Sequence, residues 1–600
     1  MTKTGRIGTA LTALLIIAAS SNAMTSGFAA NSAHTASLTT NHKTETKTEA
    51  KKDSAVKDEW WKHAVFYEIY PRSFNDSNGD GLGDINGITA KLDYLKKLGV
   101  GAIWLTPCYP SPQVDFGYDI SNYTEIAPEY GTMADFEKLI AEAKKRNIRI
   151  VMDLVMNHTS DKHPWFIESS QSKTNPKRDW YIWRDGQNDG PPNNWQSCFG
   201  HSAWEFSPKT KQFYYHFFYP QQPDLNYRNP EVKKAMFDAV RFWLDKGVAG
   251  YRLDAITTLY EDPSLPDNPV KEEKNVFGDP VMEHKYNDRF PEVHDVLREL
   301  RSTCNSYSEN IFPGKRVLVG ETFGEDVAQI SQMYGKNADE IQLPMNFFIP
   351  DTATVSAPEF RKKIAAWDSN PAHGWPVYVM SNHDRRRAFS RYADGINNDK
   401  IAKVVAAMIL TLRGTPILYY GEEIGMENYD PLKREDVQDP IGKIGWPKEK
   451  GRDGERTPMQ WTDSLNAGFS TGHPWVPVAL NYPTHNVWNE IRDKESLLLF
   501  YEKLTALRKS NSAFIKGKYV PLNVDDPNVL SYLRQSDSEN ILVILNMSKI
   551  SQTVSFDLKP QDIKAKSGHV LLNSLADKQR QKQLQNLKLE PYQALIIQVR

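Results

Sequence analysis

The feature that most constrains this chain is a recurrence. Eight short apolar runs, at residues 64–70, 101–107, 148–155, 248–254, 316–321, 340–347, 376–384 and 416–423, alternate for the most part with segments of helical periodicity. The runs are rich in Val, Ile, Leu and Tyr and too short for core helices. They read as strands buried on both faces, as in a parallel sheet. Helical patterns over residues 132–146, 230–246 and 358–367 supply crossovers. Eight strands alternating with helices predict an α/β fold, a closed (β/α)8 TIM barrel. An open doubly wound sheet is the alternative, but no glycine-rich phosphate loop follows the first run.

The rest of the chain is organised around that unit. A long polar and aromatic stretch, residues 159–223, follows the third run and predicts an inserted subdomain. The barrel with its insertion is expected to span residues 58–512. After a helical pattern at 495–509, apolar runs at 529–534, 541–546, 554–558 and 594–599 predict a C-terminal antiparallel β-sandwich over residues 513–600. Lys3 and Arg6, then an apolar run over 7–19 and small residues to Ala23 or Ala29 and Ala30, read as a cleavable export signal within 1–30. The run is shorter than the roughly 20 residues a membrane span requires. Residues 31–57, rich in Thr, Lys, Ser, Ala and Glu, read as a flexible linker. The expected location is therefore periplasmic or extracellular, with no stable span after cleavage. A net charge of −2 without a basic stripe excludes a nucleic-acid partner, and a monomer is expected. Cys108, Cys198 and Cys304 cannot all pair and match no metal spacing.

In such a barrel, catalytic groups stand at the carboxyl ends of strands. Four ends are polar here: Asp153 to His158, Arg252-Leu253-Asp254, Gly320-Glu321-Thr322 and Asn382-His383-Asp384. Two carboxyl groups on one rim suit glycoside hydrolysis, one ionised and attacking, one protonated and donating. Arg252 lies two residues before Asp254 and shares its face of the strand, so it is expected to keep Asp254 ionised. Glu321 has no such neighbour and is expected to be raised, with Asp384 adding repulsion.

In order and spacing these blocks resemble the alpha-amylase family of glycoside hydrolases, over essentially the whole chain after the linker. The resemblance implies Asp254 as nucleophile, Glu321 as acid/base and Asp384 as the residue that holds and distorts the reacting sugar. It implies that His158 and His383 bind sugar hydroxyls and that Arg252 orients Asp254. Gln222-Pro223-Asp224-Leu225-Asn226 is similar to the block that marks the alpha-glucosidase and oligo-1,6-glucosidase branch, to which the sucrose isomerases are related. By the same resemblance Asp115 and Arg456 hold the non-reducing end as an ion pair. Tyr118 stacks under the ring, and Arg387 and Arg391 line the acceptor side. An ion pair closing the cleft makes a pocket, hence exo action. The extra arginines Arg385 and Arg386 read as surface charges.

Residues 76–84 alternate oxygen-bearing side chains as a calcium loop does, without being an EF-hand. The branch's similar loop implies a structural Ca2+ held by Asp76, Asn78, Asp80, the Leu82 carbonyl and Asp84. The expected function is hydrolysis of short alpha-glucosides such as maltose and malto-oligosaccharides, with sucrose a further candidate. The alternatives are transglucosylation or sucrose isomerisation, and a non-catalytic ectodomain, which intact Asp254, Glu321 and Asp384 disfavour. Ala255 follows the nucleophile. In the resembling branch a bulky Val there accompanies alpha-1,6 preference, so Ala255 predicts that maltose is cleaved faster than isomaltose.

Overall fold

All eight runs form strands: β1 (Phe66–Ile69), β2 (Ala102–Leu105), β3 (Arg149–Val155), β4 (Gly250–Asp254), β5 (Val317–Glu321), β6 (Leu343–Met345), β7 (Val377–Val379) and β8 (Thr415–Tyr419). The computed structural model describes residues 59–307, 314–324, 326–370, 374–576 and 579–600. The expected export signal and linker lie outside the described residues. The eight strands are parallel and pair in the order β6-β5-β4-β3-β2-β1-β8-β7. Side chains close the seam between β6 and β7, where Leu343 and Met345 join Val377 and Val379 in the lumen core.

The helices stop and start where the local chemistry dictates. Helix Met133–Lys145 carries a reciprocal capping box between Thr132 and Asp135. Helix Pro230–Lys246 has Asn229 as its cap, Pro at its first turn and left-handed Gly247 at its end. Helix Ala357–Asp368 follows the third predicted segment within a residue.

The period of two along each strand separates the interior of the barrel from its helical jacket. Phe66, Trp104, Val151, Val317, Val319, Leu343, Met345, Val377, Val379 and Ile417 fill the lumen. Continuing along the same faces toward the carboxyl ends, Phe66 gives way to Glu68, Val151 to Asp153 and Val319 to Glu321. Arg252 and Asp254 take the matching places on β4. The barrel thus has an apolar floor and a charged rim. Register then sets the neighbours: Asp153 lies opposite Arg252 across β3 and β4, and Glu68 opposite Trp104 and Tyr419.

The inserted stretch holds helix Pro164–Ser169 and a three-stranded antiparallel sheet of Trp183–Arg184, Trp204–Ser207 and Gln212–Tyr215 around its own aromatic cluster. After helix Leu497–Ser510 comes a six-stranded antiparallel sheet, with a two-stranded ladder, Gln552–Val554 and Leu587–Leu589, packed on one face. The expected strand at 554–558 ends instead at Val554. Phe556 hydrogen-bonds singly to Leu584, while Phe556 and Leu558 stay buried. The other face of the six-stranded sheet packs on the barrel helices, with Tyr532 bonded to Thr411 at 2.6 Å. All three cysteines are free. Among the described residues no helix is long and apolar enough to cross a membrane.

Candidate active site

The centre of the rim is one guanidinium. Arg252, fully buried, lies 3.0 Å from Asp153, 2.6 Å from Asp254 and 2.7 Å from Glu321. It bonds Asp153 and Asp254 through Nη1 and faces Glu321 Oε2 through Nη2. The same Glu321 oxygen accepts the Ala255 N–H at 3.2 Å. That N–H is aimed by an unusual backbone: Ala255 is left-handed, at φ 38° and ψ 40°, where the strand ends and the chain bends.

This corrects one expectation. Arg252 is not reserved for Asp254, because register brings it equally to Glu321. Burial, opposed by Arg252, pushes Asp254 up to about 7 rather than leaving it well ionised. Burial also raises Glu321, as expected, with Asp254 and Asp384 adding to the rise against the pull of Arg252. The two carboxyl groups thus differ in their contacts. Asp254 is gripped by an aligned guanidinium bond, whereas Glu321 meets Arg252 without one.

Asp384 lies beyond the end of β7 with its side chain 31% exposed to the pocket. Partial burial opposes its charge, but His383, Arg452 and Arg456 hold it well below the usual carboxylate range. His383 is 3.2 Å from Asp384 through Nε2 and 2.6 Å from Glu68 through Nδ1. Tyr118 stacks on the His383 ring at 5.2 Å, donates to Asp153 at 3.0 Å and lies 2.7 Å from His383 Nε2. The loop after β2 presents Tyr118 through Gly117, whose φ of 105° disfavours a side chain and where a Cβ would meet the Pro107 carbonyl at a tight 3.0 Å. His158 meets Tyr118 O at 3.2 Å and Gln222 at 3.1 Å, and burial pulls it down to about 3, so it is neutral.

The expected ion pair of Asp115 with Arg456 is not formed. Asp115 pairs with Arg452 at 2.6 Å, and Arg452 also binds Asp384 at 3.0 Å and Asp439 at 2.7 Å. Arg456, four residues later, sits behind Asp384 at 2.8 Å and bonds the His383 carbonyl. Phe199 covers Arg452 at 5.6 Å and finishes the closed end. Arg387 is also displaced from its expected place. It is buried, bonds the Tyr420 carbonyl at 2.7 Å and packs on the Tyr419 and Tyr420 rings, so it props the rim from below. Arg391 likewise bonds backbone carbonyls, of Arg386 and Met380. Arg385, read from sequence as a surface charge, is the arginine near the mouth. It stacks on Phe347 at 4.4 Å, and Phe347 lies 6.4 Å from Phe323, two residues past Glu321.

Sequence reasoning missed Glu68, Arg452 and Asp439 as members of the site, and gave no role to Asp153 or Gln222 although both stood in the quoted blocks. Signals existed for most: a lone Glu inside the first apolar run, an Asp-Pro helix start at Asp439, and a second arginine in the late block.

Loop 76–84 lies on the first βα connection, against residues 469–475. Asp76 accepts the N–H groups of Asn78, Gly79 and Gly81 and the Ser470 hydroxyl, and Asp84 accepts from Ser77 and Gly87. Its oxygen donors suit a hard cation. Their carboxylates are not gathered around one point, and among the described residues no three His, Cys, Asp or Glu side chains form a metal cluster.

Comparison with known proteins bears on the family and the fold. The model of the alpha amylase catalytic domain matches residues 68–517, and that of the maltogenic amylase C-terminal domain matches residues 519–596. The chain is similar to an oligo-1,6-glucosidase of Parageobacillus thermoglucosidasius, 41% identical over 90% of this chain and 99% of that protein. It is 39% identical to a probable alpha-glucosidase of Rhizobium meliloti, over 86% of this chain and 94% of the relative. Among solved structures it resembles the trehalulose synthase of Pseudomonas mesoacidophila, with a TM-score of 0.81, 37% identity, and coverage of 90% and 99%. Blocks, barrel, rim and relatives agree: the chain belongs to the alpha-amylase family of glycoside hydrolases.

Proposed function

We propose that this enzyme is an exo-acting, retaining alpha-glucosidase that takes short, uncharged alpha-glucosides at their non-reducing end. The observation that carries the reading is the closed end of the pocket, where Arg452 ties Asp115, Asp384 and Asp439 together a short distance from the Asp254 and Glu321 rim. A chain threaded through an open cleft has no place at such a wall, and an anionic sugar meets more carboxylates than cations. In the first step the free oxygen of Asp254 forms a bond to the anomeric carbon as the glycosidic bond breaks. Glu321 passes its proton to the leaving oxygen. In the second, Glu321 takes a proton from water, whose oxygen displaces Asp254, returning both groups to their starting states. Arg252 orients Asp254, while Asp384, His383, Tyr118, Asp115 and Arg452 hold the sugar. Phe323, Phe347 and Arg385 offer the leaving sugar a stacking surface.

Two measurements test this. Malto-oligosaccharides should lose glucose one unit at a time, and proton NMR should show alpha-glucose as the first product. Early release of long oligosaccharides, or beta-glucose first, overturns the reading. Similarity to a trehalulose synthase favours a second reading, transfer to fructose instead of water when sucrose is supplied. Sugar analysis after sucrose digestion separates them: free glucose and fructose for hydrolysis, an isomeric disaccharide for transfer.

Two further parts belong to the same proposal. A structural Ca2+ sits in loop 76–84, held by Asp76, Asn78, Asp80, the Leu82 carbonyl and Asp84. Asn78 and Asp80 lie on its exposed edge, where their oxygens are open to a cation. The basic start and apolar run over residues 7–19 support export, which sequencing the amino terminus of the secreted protein tests.

A further inference from the structure

We propose that Glu68 is a positioning residue for the reaction: its buried carboxylate holds His383 as the doubly protonated imidazolium that braces Asp384. The inference rests on the reading of Asp384 and His383 as sugar-holding groups.

Glu68 is a carboxylate in the lumen of a barrel, one lumen position above Phe66, with no exposed surface. A charge there is costly unless paired. Its Oε1 lies 2.6 Å from His383 Nδ1 and 3.3 Å from the His383 backbone N–H, and its Oε2 has no hydrogen-bond partner. His383 therefore takes the whole of this carboxylate's hydrogen bonding.

The other ring nitrogen also faces acceptors. Nε2 is 2.7 Å from the Tyr118 oxygen and 3.2 Å from Asp384. The Tyr118 hydroxyl proton is directed to Asp153, so its oxygen is left to accept. A neutral imidazole carries one N–H and satisfies one side only. Burial raises the Glu68 carboxyl and the bond to His383 opposes that rise; with Glu68 ionised, acceptors on both sides require both protons. The ring is fixed in its plane by Tyr118 and Tyr70, stacked at 5.2 and 6.0 Å, and by the edge of Trp104 at 5.9 Å.

The charges facing this ring come from every surrounding element. Asp153 on β3 and Arg252 on β4 lie across it. Asp384 follows it in the chain, Arg456 holds its carbonyl, and Arg452 lies beyond Asp384. Tyr419 of β8 flanks Glu68. Burial works against a charged ring, yet Asp384 and Glu68 together raise His383 to about 9. Below that pH the imidazolium persists. It donates to Tyr118, which donates to Asp153, which fixes Arg252 on Asp254. Glu68 thus stands at the far end of a single polar chain that leads to the attacking carboxylate.

The test is histidine-labelled nitrogen NMR on the full protein, with the His383 signals assigned by their loss in His383→Asn. In the native enzyme both His383 ring nitrogens should carry protons from pH 6 to above pH 8. In Glu68→Gln, which keeps size and an acceptor oxygen but no charge, His383 should titrate at least two pH units lower. Relative to the native enzyme at the same pH, kcat/KM for p-nitrophenyl alpha-glucoside should be at least tenfold lower at pH 8 and closer to native at pH 5.5. A neutral His383 in the native protein at pH 7 overturns the inference without any variant, and so does an unchanged titration in a folded Glu68→Gln. A native imidazolium that disappears in Glu68→Gln supports it even if no glucoside is turned over, in which case the functional reading alone fails.

Discussion

Arg452 is the residue whose loss should distinguish a closed pocket from an open cleft. Replace it with Met, which keeps the aliphatic stem and removes the guanidinium. Asp384 then still has Arg456 and His383. Asp439 keeps backbone N–H groups of Ile441 and residue 452. Asp115 keeps only the Gln222 amide, at 3.2 Å, among its side-chain partners. Breaking a buried ion pair costs about 3–5 kcal/mol when the survivor stays dry. Asp115 keeps the Gln222 amide and has 5% of its side-chain surface exposed, so about 2–3 kcal/mol is the fitting range, which lowers kcat/KM roughly 30- to 150-fold. Asp115→Asn should cost a similar amount, because it breaks the same contact from the other side. The double variant Asp115→Asn with Arg452→Met should lose little more than either single one. Steady-state kinetics on p-nitrophenyl alpha-glucoside, arranged as a double-mutant cycle, measures the coupling directly. If the two losses simply add to within about 0.5 kcal/mol, the pair is not a unit and the argument for the wall fails.

Four other outcomes follow. Asp254→Asn and Glu321→Gln should each lower kcat by about a thousandfold or more with unchanged circular dichroism, and substantial turnover in either removes it from its role. Because Asp254 must be ionised to attack and burial lifts it to about 7, kcat/KM should decline as the pH drops through that value, and a flat profile from pH 5 to 8 contradicts this. Ala255→Val should shift the maltose to isomaltose ratio toward isomaltose. Since a β-branched residue is strained at φ 38°, a melting curve must show the variant folded, and a folded variant with an unmoved ratio refutes the linkage argument. Chelation should lower Tm, and Ca2+ should restore it, whereas a Tm indifferent to both removes calcium from loop 76–84.

The strands were legible because burial on both faces leaves a run of Val, Ile and Leu with no competing reading, and all eight appear within a few residues of their expected bounds. The nucleophile and acid/base candidates were legible for the same reason: a charged residue at the end of such a run has nowhere to go but the rim. Partnerships were harder. Arg252 was matched to Asp254 by its place on the strand, whereas its bond to Asp153 and its approach to Glu321 depend on register with two other strands. The choice between Arg452 and Arg456 depends on the path of a loop, which no periodicity describes. Arg387 shows the same limit. A sequence block states that an arginine is present, but only packing on Tyr419 and Tyr420 turns it away from the mouth.

The charged rim above the apolar floor has one more consequence. Seven carboxyl groups, of Glu68, Asp115, Asp153, Asp254, Glu321, Asp384 and Asp439, share three guanidiniums, of Arg252, Arg452 and Arg456, and one imidazolium. Carboxyl groups outnumber cations here, and the rise that burial imposes on Glu68, Asp153, Asp254 and Glu321 reflects the cost of ionising them all without more positive charge. A neutral glucoside does nothing to correct that. A sugar losing its leaving group does, because positive charge grows on its ring as the bond lengthens. The protein has in effect assembled a counter-ion shell around an ion that exists only at the top of the barrier. The strands that hold the shell were folded before the ion arrived, so little reorganisation remains to be done when it forms.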